Sequence, residues 1–203
     1  MVAPTRRLIL STLAAAGLLA ACDRFGGGKP QFQGVDITGA DFGQELALHD
    51  ADGKPRTLAD FKGKVTVIFF GYTQCPDVCP TTLAELAEAR ALLGKDAERV
   101  QGVFVSLDPE RDTPEVLKAY VGNFGADFIG LRGSDEETRA AAKEFKIFYS
   151  KVPGKTESSY TIDHTAGSYV LDAQGRIRLF ERYAIGADKL AADLKILLAE
   201  PAA

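Results

Sequence analysis

Val65-Thr66-Val67-Ile68-Phe69-Phe70-Gly71-Tyr72 is an almost unbroken apolar run rich in β-branched and aromatic residues, the pattern of a strand buried on both faces. Thr82 and Glu85 have capping-box spacing, and Leu83, Leu86, Ala87, Leu92 and Leu93 follow at helical intervals, so a helix is predicted after that strand. Val100 to Leu107 repeats the buried-strand pattern. Thr113, Pro114 and Glu115 then supply an N-cap, a first-turn proline and an early acid for a helix reaching about Phe124. Phe128 to Leu131 reads as a short strand, and Ser134 or Asp135 caps a helix running to about Phe145. Ser168 to Leu171 and Arg176 to Tyr183 flank a hairpin turn at Asp172 to Gly175, and a last helix spans about Ala187 to Leu198.

Strands alternating with helices, then a hairpin and a closing helix, imply an α/β protein: a central mixed sheet flanked by helices, parallel in part with an antiparallel edge. That order is thioredoxin-like. No internal repeat or low-complexity stretch interrupts it, and 203 residues suffice for one domain with a substantial core plus a separate N-terminal extension.

The extension carries its own pattern. Arg6 and Arg7 precede an uncharged run from Leu8 to Ala21, the basic and apolar regions of an export signal, and the run is short for a membrane span. It ends Leu19-Ala20-Ala21-Cys22, similar to the lipobox of bacterial lipoproteins, where cleavage leaves a lipid-modified cysteine. The competing reading is an uncleaved anchor with an incidental cysteine; both put the domain outside the cytoplasm. Thr5-Arg6-Arg7-Leu8-Ile9 also has a weak twin-arginine look. Asp23 to Gln33 holds Gly26, Gly27, Gly28 and Pro30, a flexible tether. The expected organisation is therefore a signal over 1–22, a tether over 23–33 and a domain over 34–203.

Charge removes one class of partner. The first 22 residues contain two arginines and no acid, leaving 22 Lys and Arg against 28 Asp and Glu, a balance near −6 that disfavours nucleic acid. Apolar residues at 46% and charged residues at 26% are ordinary for a water-soluble domain.

With Cys22 consumed by lipid, Cys75 and Cys79 are the two remaining thiols. They lie at the carboxyl end of a buried strand, where open α/β sheets place their sites. Residues four apart on a helical turn have Cβ atoms about 5 to 6 Å apart, close enough to share a metal ion. A disulfide needs a separation nearer 4 Å, so chelation and reversible oxidation are both within reach of a modest backbone adjustment. A nearby helix N-terminus favours the thiolate, which is both ligand and nucleophile. Pro76 and Pro80 flank and stiffen the pair. A purely structural bridge is the bland alternative, but closing so small a loop restricts the unfolded chain little. The spacing also departs from the Cys-x-x-Cys of the commoner redox pair.

Two thiolates suit Cu(I) and also zinc, and a third ligand is normally imidazole or thioether. Met1 leaves with the signal, so the candidates are His49 and His164. His49 sits in a hydrophilic turn, Leu48 to Gly53, where a solvated histidine is the ordinary expectation. His164 follows Asp163 at the end of a polar loop from Lys151 to Ile162, with Asp163 available to orient the imidazole. Chemistry alone leaves His164 evenly divided between ligand and bystander.

Four blocks in order resemble the Sco (SenC) proteins: Leu58-Ala59-Asp60-Phe61-Lys62-Gly63-Lys64; Gly71 to Pro80, including Cys75-Pro76-Asp77-Val78-Cys79-Pro80; Ser106 to Pro114; and Asp163-His164-Thr165-Ala166. The resemblance implies a thioredoxin fold with one copper ion, Cu(I) or Cu(II), held by Cys75, Cys79 and His164. It implies a copper metallochaperone on the periplasmic side of the bacterial inner membrane, lipid-anchored through Cys22. The implied partner is cytochrome c oxidase subunit II, whose dinuclear copper centre such proteins help to assemble, with another periplasmic copper carrier or thiol reductant upstream. Two other functions compete: a thiol-disulfide reductase keeping the oxidase cysteines reduced, in which the Cys75 and Cys79 pair is catalytic, and a thiol peroxidase suggested by fold alone.

Overall fold

The computed structural model describes residues 31–156 and 159–200, and from Phe32 the described chain packs as one unit. The expected signal, the expected tether up to Pro30 and Cys22, the expected lipidation site, lie outside the described residues.

Two buried parallel strands, β4 (Val65–Gly71) and β5 (Val100–Ser106), form the centre, in register from Val65 opposite Val100 to Gly71 opposite Ser106. Around them the sheet takes the order β1-β10-β9-β4-β5-β6-β2-β3, with β1 (Val35–Asp36), β2 (Ala47–Asp50), β3 (Pro55–Thr57), β6 (Ile129–Arg132), β9 (Gly167–Leu171) and β10 (Ile177–Arg182). The β4-β5-β6 part is parallel, and the flanks on both sides are antiparallel. The mixed α/β sheet matches expectation; the second antiparallel flank, built by β2 and β3, was not foreseen, because those short segments lack a clear alternating pattern.

The continuous apolar run of β4 has its cause in this position. Val65, Val67 and Phe69 point into one core with α1 (Val78–Leu92), α2 (Pro114–Gly122) and α4 (Ala187–Ala199), through Leu83, Leu86, Leu117 and Leu194. Ile68 and Phe70 point the other way, into a second core with α3 (Asp135–Glu144) through Ala141 and Ala142. Thr113 caps α2 by accepting from the Val116 N–H, and Ser134 with Glu137 forms the capping box of α3.

Two local expectations are corrected. Thr82 and Glu85 do not start the first helix: α1 begins at Val78, Cys79 already lies in its first turn, and the Thr82 hydroxyl donates back to the Val78 carbonyl at 2.8 Å. The proline at position 80 is compatible with this earlier start, since a first-turn residue has no intrahelical acceptor for its missing N–H. The polar segment after Lys151 is not a loop. It is a separate two-stranded sheet, β7 (Tyr149–Pro153) paired antiparallel with β8 (Tyr160–His164), with Tyr149 opposite His164.

Candidate metal centre

The site is assembled where β4 ends. The chain turns over Tyr72 to Asp77, with the Cys75 N–H donating to the Tyr72 carbonyl at 3.2 Å, and enters α1 so that Cys79 is buried beneath Cys75. The Cys79 N–H points at Cys75 Sγ, 3.4 Å away, so the helix start faces the sulfur of the preceding turn. Gly71 makes room: a Cβ there would lie 2.7 Å from Cys79 Sγ and 3.0 Å from both Phe69 and Phe104. We therefore expect Gly71→Ala to destabilise the fold by about 1 to 3 kcal/mol, the usual cost of overpacking. The same change should weaken metal binding by displacing Cys79, measured by urea unfolding and copper titration; a fully stable variant with unaltered affinity would contradict this packing.

The third side chain arrives on β8. Tyr160, Ile162 and His164 share one strand face and turn toward the domain, Ile162 into the core, while Thr161 and Asp163 point outward. His164 Nε2 sits 3.4 Å from Cys79 Sγ, and the ligand atoms of Cys75, Cys79 and His164 all lie within 4.8 Å of one another. His164 Nδ1 is 3.0 Å from the Thr165 carbonyl. A carbonyl only accepts, so Nδ1 carries the proton and the Nε2 lone pair of the neutral ring faces the sulfurs. Phe69 and Tyr72 meet the imidazole edge-on, with ring centroids 5.9 and 6.1 Å away.

The two thiols are electrostatically unequal. A hydrogen bond from Cys79 lowers the Cys75 pKa to about 5, with help from the Asp77 and Cys79 backbone N–H groups, against a raising effect of burial. The same interaction, together with deep burial, pushes the Cys79 thiol up. Cys75 is therefore the standing thiolate and the more exposed sulfur, on a surface pocket of about 350 Å³ lined by Tyr72, Cys75, Pro76, Val78, Ile162 and His164.

The predicted Cys75, Cys79 and His164 thus converge, and among the described residues they are the group of three His, Cys, Asp or Glu side chains whose ligand atoms do so. The soft sulfur pair with one imidazole nitrogen fits a copper ion, and the free Nε2 lone pair is what a ligand requires. His49 is elsewhere: it lies in β2, paired with Pro55 and Arg132, and not in a turn. Asp163 does not orient the imidazole, because strand alternation sends it to the opposite face; the Thr165 carbonyl does so instead. Asp112 is buried and accepts from the Thr73 hydroxyl and the Ser106 hydroxyl, each at 2.6 Å, which ties the cysteine turn to the end of β5. Sequence reasoning passed over Tyr72 and Thr165, since neither an aromatic after a strand nor a backbone carbonyl carries a signal of its own.

The SCO1/SenC family model matches residues 35–199. The chain belongs to the SCO1/SenC family. Within this family it is similar to the SCO2-like protein of Rickettsia felis, 38% identical over 135 residues, which is 66% of each chain, so the match leaves about a third of that relative uncovered. Among solved structures, Bradyrhizobium japonicum ScoI with copper bound is 42% identical with a TM-score of 0.71, covering 77% of this chain and 99% of that one. A SCO1/SenC family lipoprotein from Bacillus anthracis is 27% identical with a TM-score of 0.66, covering 80% and 97%.

Proposed function

We propose that this protein is a copper metallochaperone, binding one copper ion as cargo between Cys75 Sγ, Cys79 Sγ and His164 Nε2 and passing it on to cytochrome c oxidase subunit II. The observation that carries the reading is the convergence of two sulfurs and one imidazole nitrogen within 4.8 Å beside an open pocket. The copper-bound family structure at 42% identity supports copper over zinc. Two thiolates and Cu(I) leave the site at −1, whereas Cu(II) leaves it neutral and gains more from the imidazole. Cys75 is ready as a thiolate, and copper arriving at the site displaces the proton of Cys79. Exchange with a partner disulfide, which takes up the two electrons and leaves as two thiols, converts the pair to a disulfide, removes two ligands at once and releases the cargo.

The location we propose is the periplasmic side of the bacterial inner membrane, with residues 1–22 as a signal, Cys22 as the lipidated N-terminus, a tether from 23 that ends before Phe32, where the chain packs onto the domain, and the working domain beyond it. The lipobox-like Leu19 to Cys22 supports this, as does the likeness to a family lipoprotein. A tethered domain stays near a membrane-embedded oxidase and near an upstream copper carrier or reductant.

A second reading rests on the inequality of the thiols. An accessible Cys75 thiolate above a protonated, buried Cys79 is the arrangement of an attacking and a resolving cysteine, suited to reducing a partner disulfide. One variant separates the two readings. His164→Ala should lower Cu(II) affinity by at least about a hundredfold, the scale of one lost ligand, and lower Cu(I) affinity far less. Copper titration with a competing chelator measures both, and oxidase copper content in cells shows the consequence. Full oxidase assembly with His164→Ala would exclude delivery of Cu(II) and favour reduction by the thiol pair.

A further inference from the structure

The hairpin β7–β8 belongs to no larger sheet, and a two-stranded ribbon is marginal on its own. The short link from His164 to β9 and Ile162 in the core hold one end of that hairpin, and the rest is held by side chains. The Lys151–Glu110 ion pair is exposed at both ends and contributes little. Arg111 is different. Its guanidinium stacks over the Tyr160 ring, 3.5 Å from the centroid, and Nη1 donates to the Tyr160 carbonyl at 2.9 Å and to Gln74 Oε1 at 3.2 Å. Its Nε pairs with the fully buried Asp108, whose other oxygen accepts from the Tyr160 hydroxyl at 2.7 Å.

One planar side chain therefore joins three segments: the turn after β5, the residue preceding Cys75, and the strand that carries His164. Tyr160 lies four positions before His164 on the same strand face, so its placement fixes the imidazole through a rigid extended segment. Arg111 Nη2 is buried without an acceptor among the described residues, a desolvation cost that a surface arginine would avoid and that this stacking offsets. We propose that Arg111 is a positioning residue for the metal centre, a clamp that holds the His164 hairpin over the cysteine turn and so sets the strength of the imidazole ligand. The inference rests on the copper reading above and assigns Arg111 no bond to the metal.

The test uses the full chain, with Cu(II) and Cu(I) as separate probes and five proteins: wild type, Arg111→Ala, Arg111→Lys, His164→Ala and the variant carrying both alanines. Arg111→Ala should lower Cu(II) affinity by about 10-fold or more, the scale for removing a group that orients a ligand, with Cu(I) affinity nearly unchanged. Its Cu(II) spectrum should move toward that of His164→Ala, and in the His164→Ala background the arginine change should add nothing. Without metal, amide exchange at 160–164 should accelerate while Ile68 to Phe70 stay protected, which separates a loosened hairpin from a failure to fold. Arg111→Lys keeps the charge without the planar fork and should recover only part of the loss.

The clamp is overturned if Arg111→Ala keeps the wild-type Cu(II) spectrum and affinity, if it costs as much with His164 absent, or if the central strand loses protection equally. A wild type that binds no copper would remove the copper reading itself and the clamp with it, and one whose Cu(II) spectrum ignores His164→Ala would remove the imidazole ligand and the clamp while leaving the sulfur pair. A His164-dependent wild type beside an unaffected Arg111→Ala variant removes the clamp alone.

Discussion

Serine in place of Cys75 or Cys79 should abolish tight Cu(I) binding. A hydroxyl at neutral pH is not ionised and is a hard donor, whereas Cu(I) prefers soft thiolates. Four-ligand thiolate and imidazole zinc sites reach about 10 to 16 kcal/mol, so one ligand is worth about 3 kcal/mol or more, a hundredfold or greater in affinity. The two variants should differ in a second respect. Cys75 is only partly buried, so Cys75→Ser should leave folding nearly untouched, while Cys79 is buried against Gly71 and its replacement trades a packed sulfur for a smaller hydroxyl in a tight site. Anaerobic Cu(I) titration against a competing chelator measures the first effect and thermal unfolding the second. Retention of wild-type Cu(I) affinity by the double cysteine variant would remove both sulfurs from the site.

The second large effect lies outside the ligand set. Glu181 on β10 is 3% exposed with neither oxygen accepting a hydrogen bond from a donor group, next to Asp193 of α4, which accepts the Gln33 and Gly34 N–H groups. Burial first, then the charge of Asp193, a hydrogen bond with it and the charge of Glu85 push the Glu181 pKa up to about 8 from 4.5. A Glu181 carboxyl that keeps its own proton has no need of a donor, which accounts for the missing partner. The native state therefore holds a proton that the unfolded chain releases between pH 4.5 and 8. Its contribution is complete below about pH 4.5, declines across that window and is gone above about pH 8, at most about 5 kcal/mol in all. Glu181→Gln stays neutral and keeps a donor for Asp193, so above pH 8 it should be the more stable protein by several kcal/mol, and near pH 4 the two should converge. Urea unfolding at pH 4.5, 6, 8 and 9 reads this directly; parallel stability curves for the two proteins would mean that Glu181 is ionised in the native state.

Neither buried carboxyl was visible beforehand, for a clear reason. Glu181 lies in a strand whose alternation also allows an outward acid, and Asp193 in a helix where acids are usual on the solvent side. Which acid is inside depends on how β10, α4 and the segment at Gly34 meet, and no local pattern encodes that meeting. The same limit produced the misplaced start of α1: capping spacing at Thr82 and Glu85 is a local signal, whereas the true start at Val78 depends on Cys79 packing beneath Gly71.

Much of the protein was nonetheless legible without coordinates. Strands β4 and β5 declared themselves through apolar runs that only two-faced burial tolerates, and α2 and α3 through caps whose hydrogen bonds are local. Cys75 and Cys79 were paired by being four residues apart at a strand end, because short-range spacing restricts geometry directly. His164 was a different case: 85 residues separate it from Cys79, and its approach required a resemblance to suggest it and a folded hairpin to achieve it. Periodicity and capping act within a few residues, so the chain's own pattern dictates its strands, helices and sulfur pair. The imidazole's partner, the Arg111 clamp and the buried carboxyl proton arise from contacts between distant segments, which form only when the layers have packed.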